Sequence, residues 1–203
     1  MYKTVAILGS PRRHGNSTAL ASIICDRLAG AGGEVRSHHL NSLSFKGCQA
    51  CGACKIRSES CILEDDLRQV LADFAWADFV ILATPVYWGE VTAQLKGFID
   101  RIYSFLTPDF MTADKKHRLA GPKKLVFIQS QGADSEEFFA DIFPRYNGFF
   151  SQLGLFSETI LIRGCGLNTP DAALLRPELL HQAEAAAAAL LGREDASGKR
   201  SAG

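Results

Sequence analysis

One stretch near the N-terminus decides the fold: Lys3-Thr4-Val5-Ala6-Ile7-Leu8-Gly9-Ser10-Pro11-Arg12-Arg13-His14-Gly15-Asn16-Ser17-Thr18, residues 3–18. The apolar run Val5–Leu8 is typical of a buried strand, and a helix is predicted from about Thr18. A helix N-terminus offers unpaired N–H groups with partial positive charge, and glycines let the backbone approach a ligand closely. Arg12 adds a bidentate donor. The stretch therefore predicts a phosphate-binding loop between a strand and a helix.

Other glycine-rich phosphate loops have different spacing. A P-loop has four residues between its glycines and then a lysine, whereas five residues separate Gly9 from Gly15 and Asn16 follows. The G-x-G-x-x-G fingerprint of dinucleotide-binding folds is absent as well. An ordinary capped turn is the remaining alternative, although capping alone does not require so many donors. The spacing thus argues against an NTPase and favours another phosphate ligand.

Short apolar runs alternate with helical patterns along the rest of the chain. The predicted strands are Val5–Leu8, Val35–Leu40, Phe79–Thr84, Leu125–Gln129 and Thr159–Ile162. The predicted helices are Thr18–Ala29, Asp66–Ala75, Thr92–Tyr103, Glu136–Phe150 and Pro177–Leu191. The first, third and fourth strands are apolar enough to be buried on both faces. This alternation predicts an α/β fold, with helices on both faces of a five-stranded parallel sheet.

Composition and charge limit the classes of partner. The 203 residues are 47% hydrophobic and carry 22 basic and 22 acidic side chains, so we expect one domain, residues 1–191, and no nucleic-acid partner. We predict neither a signal peptide nor a membrane span, which favours the cytoplasm. Thiols stay reduced there, so the six cysteines are expected to be ligands, redox groups or core fillers. Residues 192–203 are small and polar, and predict a flexible tail.

A second loop leaves the third predicted strand: Thr84-Pro85-Val86-Tyr87-Trp88-Gly89-Glu90-Val91. Ligands of open α/β sheets bind at the carboxyl ends of the strands, so this loop is expected beside the first one. Pro85 stiffens the turn, Gly89 permits close approach, and Tyr87 and Trp88 provide flat apolar surface. These residues suit a planar ring such as a flavin, although aromatic residues that merely cap the core would look the same.

Both loops resemble those of the NADPH-dependent FMN reductases, a branch of the flavodoxin-like superfamily. The resemblance rests on Gly9-Ser10-Pro11-Arg12, Gly15-Asn16-Ser17-Thr18, Thr84-Pro85-Val86-Tyr87-Trp88-Gly89 and Leu95-Lys96-Gly97-Phe98-Ile99-Asp100-Arg101, and extends to about Gly132. It implies a flavodoxin-like three-layer sandwich with strand order 2-1-3-4-5. It also implies an FMN site in three parts: the phosphate at Ser10, Arg12, Asn16, Ser17 and Thr18, the ring at Pro85, Val86, Tyr87, Trp88 and Gly89, and a third loop contributing Ser130 and Gly132.

Four cysteines fall in one long predicted loop, residues 41–65, with the spacing C-x2-C-x2-C-x6-C: Cys48, Cys51, Cys54 and Cys61. Such close spacing suits a [4Fe-4S] cluster, although the Cys-Pro of ferredoxin runs is missing. Zinc fits less well, because structural zinc sites more often use two separated cysteine pairs. The pattern resembles that of the iron-sulfur flavoproteins, which implies these four residues as cluster ligands, with bare thiols as the alternative. The other two cysteines are expected to be core fillers.

Together these features predict an FMN-dependent oxidoreductase, or electron-transfer flavoprotein, in which a cluster exchanges electrons with FMN. The chemistry belongs to FMN, so no catalytic side chain is assigned. The resemblance implies NAD(P)H, ferredoxin or another carrier as electron donor, and a homodimer or homotetramer as the assembly. The alternatives are a cluster-free NAD(P)H-dependent reductase of FMN, quinones or azo compounds, and a non-catalytic flavin-binding redox partner protein.

Overall fold

A computed structural model describes residues 1–192 of the chain. The tail predicted for residues 192–203 lies outside the described residues, apart from Gly192. Five parallel strands form one sheet in the order β2-β1-β3-β4-β5, which confirms the predicted fold class and strand order. The strands are β1 (Lys3–Leu8), β2 (Glu34–His39), β3 (Phe79–Pro85), β4 (Lys123–Ser130) and β5 (Phe156–Gly164).

Helices cover both faces of the sheet and bury two separate apolar layers. The helices are α1 (Asn16–Gly30), α2 (Ala53–Ile56), α3 (Leu67–Trp76), α4 (Ala93–Arg101), α5 (Ile142–Gln152) and α6 (Pro177–Leu190). One layer packs α3, α4 and α5 against the sheet, and the other packs α1 and α6. Strands β1, β3 and β4 are buried almost throughout, as their apolar sequences predict, because side chains on both of their faces meet a helical layer. In residues 1–192 we find no helix long and apolar enough to span a bilayer.

Most predicted helix boundaries lie within two residues of the observed ones, but the start of α5 is wrong. The pattern predicted a helix over residues 136–150, whereas α5 begins at Ile142. Phe139 has a φ of 65°, and its carbonyl oxygen accepts a hydrogen bond from Gln129 Nε2 at 3.0 Å, so the backbone there cannot continue a helix. Pro144 is the sequence signal for the true start, since proline is tolerated in the first turn of a helix.

Two further differences lie near the cysteine loop, by which we mean residues 46–65. The helix predicted for residues 92–103 ends at Arg101 and continues as a 3₁₀ turn, Ile102–Phe105. The short helix α2 lies inside the loop and was not predicted. It begins after Gly52, whose φ of 67° is a left-handed conformation that glycine adopts at little cost. Both elements place side chains next to the cysteines.

Candidate functional site

Three loops meet at the carboxyl ends of β1, β3 and β4 and enclose a cleft of about 120 Å³. Most of the predicted FMN-binding residues line it: Ser10, Arg12, Asn16, Ser17, Pro85, Val86, Tyr87, Ser130 and Gly132. Thr18, Trp88 and Gly89 were also predicted but are not part of its lining. Gly15, Gln131 and Leu167 line the cleft as well and were missed as ligand contacts. Nine of the twelve predicted residues thus line one cleft, while the individual ligand contacts stay predictions.

Hydrogen bonds and close packing hold the first two loops together. The Gly9 N–H donates to the Ala83 carbonyl at 2.8 Å, and Thr92 Oγ1 donates to the Gly9 carbonyl at 2.8 Å. A Cβ atom on Gly9 would lie 2.8 Å from both Thr92 Oγ1 and the Cβ of Leu95. Only glycine therefore fits here, because the N-terminal turn of α4 packs directly on the backbone of the phosphate loop.

The N-terminus of α1 presents donors that have no partner among residues 1–192. Gly15 precedes the helix and provides no side-chain cap. Ser17 Oγ and Thr18 Oγ1 are buried and form no hydrogen bond with any of the described residues. Buried polar atoms are rarely left unpaired, because an unmade hydrogen bond costs about 1–3 kcal/mol. Two such hydroxyls beside the positive end of a 15-residue helix fit an anionic group such as the phosphate of FMN.

The side chain of Asn16 is engaged elsewhere. Its Nδ2 donates to the carbonyls of Thr169 at 2.7 Å and Leu167 at 3.3 Å, and its Oδ1 accepts from the Ala173 N–H at 2.8 Å. This side chain ties the segment after β5 to the start of α1. Because all of its hydrogen-bonding atoms are engaged, the backbone N–H is the group that Asn16 can offer to a phosphate.

The second loop is a tight turn that projects into solvent. Tyr87 and Glu90 exchange backbone hydrogen bonds of 2.9 and 3.1 Å, and the two residues between them have positive φ angles, 51° at Trp88 and 74° at Gly89. The Trp88 side chain is completely exposed and that of Tyr87 is 46% exposed. Neither ring therefore caps the core, and both are free to contact a ligand or a partner.

The third loop is organised by Gln131, which is 3% exposed. Its Nε2 donates to the carbonyls of Ala133, Ser135 and Phe138 at 3.1–3.2 Å, and its Oε1 accepts from Arg163 Nη2 at 3.0 Å. These contacts hold the loop in place beside the cleft. The position of Gln131, between the two predicted contacts Ser130 and Gly132, was the available signal for its role.

All four cysteines of the predicted cluster motif line one cavity of about 330 Å³. Cys48 and Cys51 are exposed, whereas Cys54 and Cys61 are half-buried. No group of three or more His, Cys, Asp or Glu side chains within residues 1–192 is arranged to hold a single metal ion. A [4Fe-4S] cube is larger than an ion and takes one thiolate at each iron, so four thiols around a shared cavity fit its donor set.

Basic side chains adjoin this cavity. Lys55 Nζ donates to the carbonyls of Tyr103 at 2.6 Å and Leu106 at 2.7 Å and lies 4.0 Å from the Tyr103 ring centre. Burial lowers the pKa of Lys55, while negative charge on Cys54 and Cys48 acts in the opposite direction. Lys55 beside the thiols provides positive charge that favours an anionic occupant, whereas Arg101, which also lines the cavity, is paired with Asp65.

An apolar groove of about 570 Å³ runs between α4 and α5 and adjoins the cysteine cavity at Cys48. At its other end Glu90 accepts hydrogen bonds from Arg145 at 2.9 Å and Tyr146 at 3.1 Å. Burial acts to raise the pKa of Glu90, but hydrogen bonds from the Val91 N–H, Arg145 and Tyr146 hold it below the ordinary value. Burial and the Glu90 charge raise the pKa of Tyr146. This α4–α5 groove thus has an apolar floor and a charged end beside the second loop.

Comparison with known families agrees with this geometry. A family model described as a flavodoxin-like fold matches residues 2–186. The chain belongs to this flavodoxin-like family. An iron-sulfur flavoprotein from Archaeoglobus fulgidus is 40% identical over 103 residues, which is 51% of this chain and 46% of the relative. An iron-sulfur flavoprotein from Methanocaldococcus jannaschii is 38% identical over 104 residues, 51% of this chain and 52% of the relative. This flavodoxin-like chain thus spans about half the length of the curated relatives it matches.

Solved structures share the flavodoxin-like fold over nearly the whole chain. An NAD(P)H:quinone oxidoreductase from Methanothermobacter marburgensis aligns with a TM-score of 0.70 and 19% identity, covering 96% of this chain and 100% of the other. An FMN-dependent NADH-azoreductase from Bacillus anthracis aligns with a TM-score of 0.69 and 16% identity, covering 93% and 99%. At such low identity these structures show that the fold is shared, and no more.

Proposed function

We propose that this protein is an oxidoreductase that binds FMN and a [4Fe-4S] cluster and passes electrons between these two cofactors. The observation that carries the flavin assignment is the pair of buried, unpartnered hydroxyls, Ser17 Oγ and Thr18 Oγ1, at the start of α1. The cluster assignment rests on four thiols around one cavity and on relatives that are named iron-sulfur flavoproteins. When bound, FMN supplies hydride or single-electron chemistry.

The chain's own residues bind and orient the cofactor in this proposal. The free N–H groups of α1 and the Ser17 hydroxyl hold the phosphate in the cleft, Arg12 adds a charged donor, and the unpartnered hydroxyl of Thr18, next in the chain but outside the cleft lining, assists them. Tyr87 and Trp88 offer flat faces to the ring, one at the cleft and one at the tip of the loop. No side chain is needed as a nucleophile or general base, because the reactive atoms belong to the flavin.

Ser17→Ala and Thr18→Val test the phosphate assignment. Each change removes one hydrogen bond to a charged group, worth roughly 1.5–3 kcal/mol, so FMN should bind about tenfold more weakly or worse. The cofactor-free protein should be as stable as wild type or more stable, because a buried unpaired hydroxyl has been removed. Titration of flavin fluorescence and urea unfolding measure the two effects.

Thr4→Val is the matched control. Thr4 Oγ1 is also buried and unpartnered within the described residues, but it lies near the start of β1, away from the cleft. This variant should keep the FMN affinity of wild type. Equal FMN affinity in Ser17→Ala, Thr18→Val and wild type would refute the phosphate assignment.

Anaerobic purification and reconstitution test the cluster. We expect iron and acid-labile sulfide in equal amounts, about four of each per chain, with broad absorption near 400 nm. Cys61→Ser should abolish the uptake of iron and sulfide, whereas Cys165→Ser, outside the cavity, should not change it. A wild-type chain that takes up no iron under these conditions would reject the cluster and leave the four residues as thiols.

A cluster-free NAD(P)H-dependent reductase of FMN, quinones or azo compounds is the second candidate. It is supported by neighbours of the same fold, which are named as quinone and azo reductases. Anaerobic mixing of FMN-loaded protein with NADH or NADPH tests it. Rapid bleaching of the flavin in iron-free protein would support this function, and an unchanged spectrum with both donors would exclude it.

We also propose a homodimer or homotetramer in the cytoplasm, with ferredoxin or a similar carrier as the alternative electron donor. The α4–α5 groove supports self-association, because it is apolar and has the exposed Phe149 at its edge. Light scattering of wild type and Phe149→Asp measures the assembly. A wild-type protein that is monomeric at all concentrations would contradict this part of the proposal.

A further inference from the structure

Arg101, the last residue of α4, contacts both ends of the cysteine loop. Its side chain is fully buried. Nη1 donates to the Lys46 carbonyl at 3.1 Å and to the two carboxylate oxygens of Asp65 at 2.9 and 2.7 Å, and Nη2 donates to the Leu63 carbonyl at 3.3 Å. Lys46 precedes the first cysteine of the motif and Leu63 follows the last. One guanidinium group therefore joins the two ends of the segment that carries all four thiols.

Asp65 completes this closure from the other side. Its carboxylate accepts the Lys46 N–H at 3.2 Å and the Leu67 N–H at 3.2 Å, in addition to the Arg101 pair. The loop end is thereby fixed both to the loop start and to the first turn of α3. Closing a long loop costs conformational entropy, and a buried charge pair with several hydrogen bonds is a contact strong enough to offset that cost.

Arg101 is also one of the residues that line the cysteine cavity. Its Nε is buried and has no hydrogen-bond partner in the described part of the chain. The exposure of the cysteines also varies with their place in the loop: Cys54 and Cys61 are half-buried, whereas Cys48 and Cys51 are exposed. Cys61 packs against the apolar layer that includes α4, and Cys54 lies in α2, which contacts the 3₁₀ turn after α4, so we expect their partial burial to depend on the loop staying folded there.

We propose that Arg101 is a positioning residue that holds the cysteine loop in the shape that receives the cluster. It acts by joining Lys46, Leu63 and Asp65 across the base of the loop, so the four thiols face one cavity before any iron is bound. Its relation to the cluster rests on the proposed function, whereas its effect on the loop does not. A guanidinium is needed because it holds two donor nitrogens in a fixed plane, Nη1 on Lys46 and Asp65 and Nη2 on Leu63, whereas the ammonium of lysine has one nitrogen on a flexible stem.

Arg101→Lys and Arg101→Gln test the proposal in FMN-loaded, iron-free protein. Alkylation with iodoacetamide, resolved by peptide mass spectrometry, should show Cys54 and Cys61 reacting about tenfold faster than in wild type, while the exposed Cys48 and Cys51 change little. Anaerobic reconstitution should show iron bound about tenfold more weakly, as is common when an outer partner of a metal ligand is lost. FMN affinity should stay at the wild-type value, because Arg101 does not line the flavin cleft.

Arg36→Gln is the matched control for a loss of stability. Arg36 Nη1 pairs with the buried Asp73 at 2.6 Å on the surface between β2 and α3, so this change also leaves a buried carboxylate short of a partner. It should lower the melting temperature without changing the reactivity of any thiol in the cysteine loop. If Arg101→Gln does not fold, Asp65→Asn replaces it. Asp65→Asn is expected to give the same pattern of thiol reactivity.

The outcomes separate the inference from the proposed function. Wild-type rates at Cys54 and Cys61 in Arg101→Lys would overturn the positioning role, because charge alone would then suffice. Faster alkylation in Arg36→Gln would overturn it too, because any loss of stability would then open the loop. A wild-type chain that binds no iron, with faster alkylation only in the Arg101 and Asp65 variants, would reject the cluster and support the role of Arg101 in the loop.

Discussion

Replacing Gly9 with alanine should destabilise the protein and weaken FMN binding together. The added Cβ would lie 2.8 Å from Leu95 Cβ and Thr92 Oγ1 and 3.3 Å from the Ala83 carbonyl oxygen. The two contacts at 2.8 Å are shorter than a Cβ atom tolerates. Neither can relax easily, because Leu95 Cβ is fixed to the backbone and Thr92 Oγ1 is held by hydrogen bonds with Gly9 and Leu95. Overpacking of this kind costs about 1–3 kcal/mol. The hydrogen bond from Thr92 to Gly9 would be lost as well, at about 1 kcal/mol.

The free energy of unfolding should therefore fall by about 2–4 kcal/mol, which lowers the melting temperature of a chain of this size by roughly 5–15 °C. The displaced phosphate loop should lose at least one charged hydrogen bond, so FMN should bind about tenfold more weakly. Urea unfolding of the cofactor-free protein and fluorescence titration with FMN measure these two quantities separately.

Gly148→Ala is the control with the opposite sign. Gly148 lies inside α5, is exposed, and has no atom within 4 Å of an added Cβ. Alanine should stabilise the helix by about 0.5–1 kcal/mol and leave FMN affinity unchanged. If Gly9→Ala proves as stable as wild type, α4 does not pack on the phosphate loop as described, and the reasoning is wrong.

Three further changes have expected outcomes. Burial lowers the pKa of Lys123 from 10.5 to about 8, although it donates to carbonyls at the end of α3 such as that of Ala75. Between about pH 8 and pH 10.5 the unfolded chain keeps a proton on Lys123 that the folded chain has lost, so the free energy of unfolding rises with pH. Lys123→Met lacks this gain, so its free energy of unfolding in urea should lie further below that of wild type at pH 10 than at pH 7. Trp88→Ala should change the unfolding free energy by less than about 0.5 kcal/mol, because the side chain is fully exposed, yet weaken FMN binding measured by fluorescence. Arg163→Gln should speed proteolysis within residues 131–141, because Arg163 Nη1 donates to the Glu136 carbonyl at 2.7 Å; cleavage at the wild-type rate would contradict this.

The fold could be predicted from the sequence because its signals are local. Apolar runs mark β1, β3 and β4, and the loop after β1 carries its donors in one short segment. The predicted start of α5 was wrong because residues 136–141 have a composition typical of a helix. Their backbone is set instead by contacts from residues distant in the sequence, such as Gln129 and Arg163, which no local pattern contains.

The candidate site was predicted in part for the same reason. Ser17 and Thr18 could be placed in the first turn of α1 because position at a helix start is readable from the chain, and their contact with a phosphate stays a prediction. The use of the Asn16 amide depends on where residues 167–173 pass, 151–157 positions later. In the sequence, Arg101 is part of the motif Leu95–Arg101 that resembles the family. Its burial against Asp65 depends on how α4 packs on the cysteine loop, and no local pattern contains that contact.

Helix α4 fixes the distance between the loop after β1 and the cysteine loop. Its N-cap, Thr92, contacts the phosphate loop, and its last residue, Arg101, holds the cysteine loop. Nine steps of 1.5 Å separate these residues by about 14 Å. One inserted residue would turn one end by about 100° relative to the other and break one of the two attachments. Substitutions on the exposed side of α4 are thus open to evolution, whereas a change in its residue count is not, and homologues that keep both loops should keep this interval.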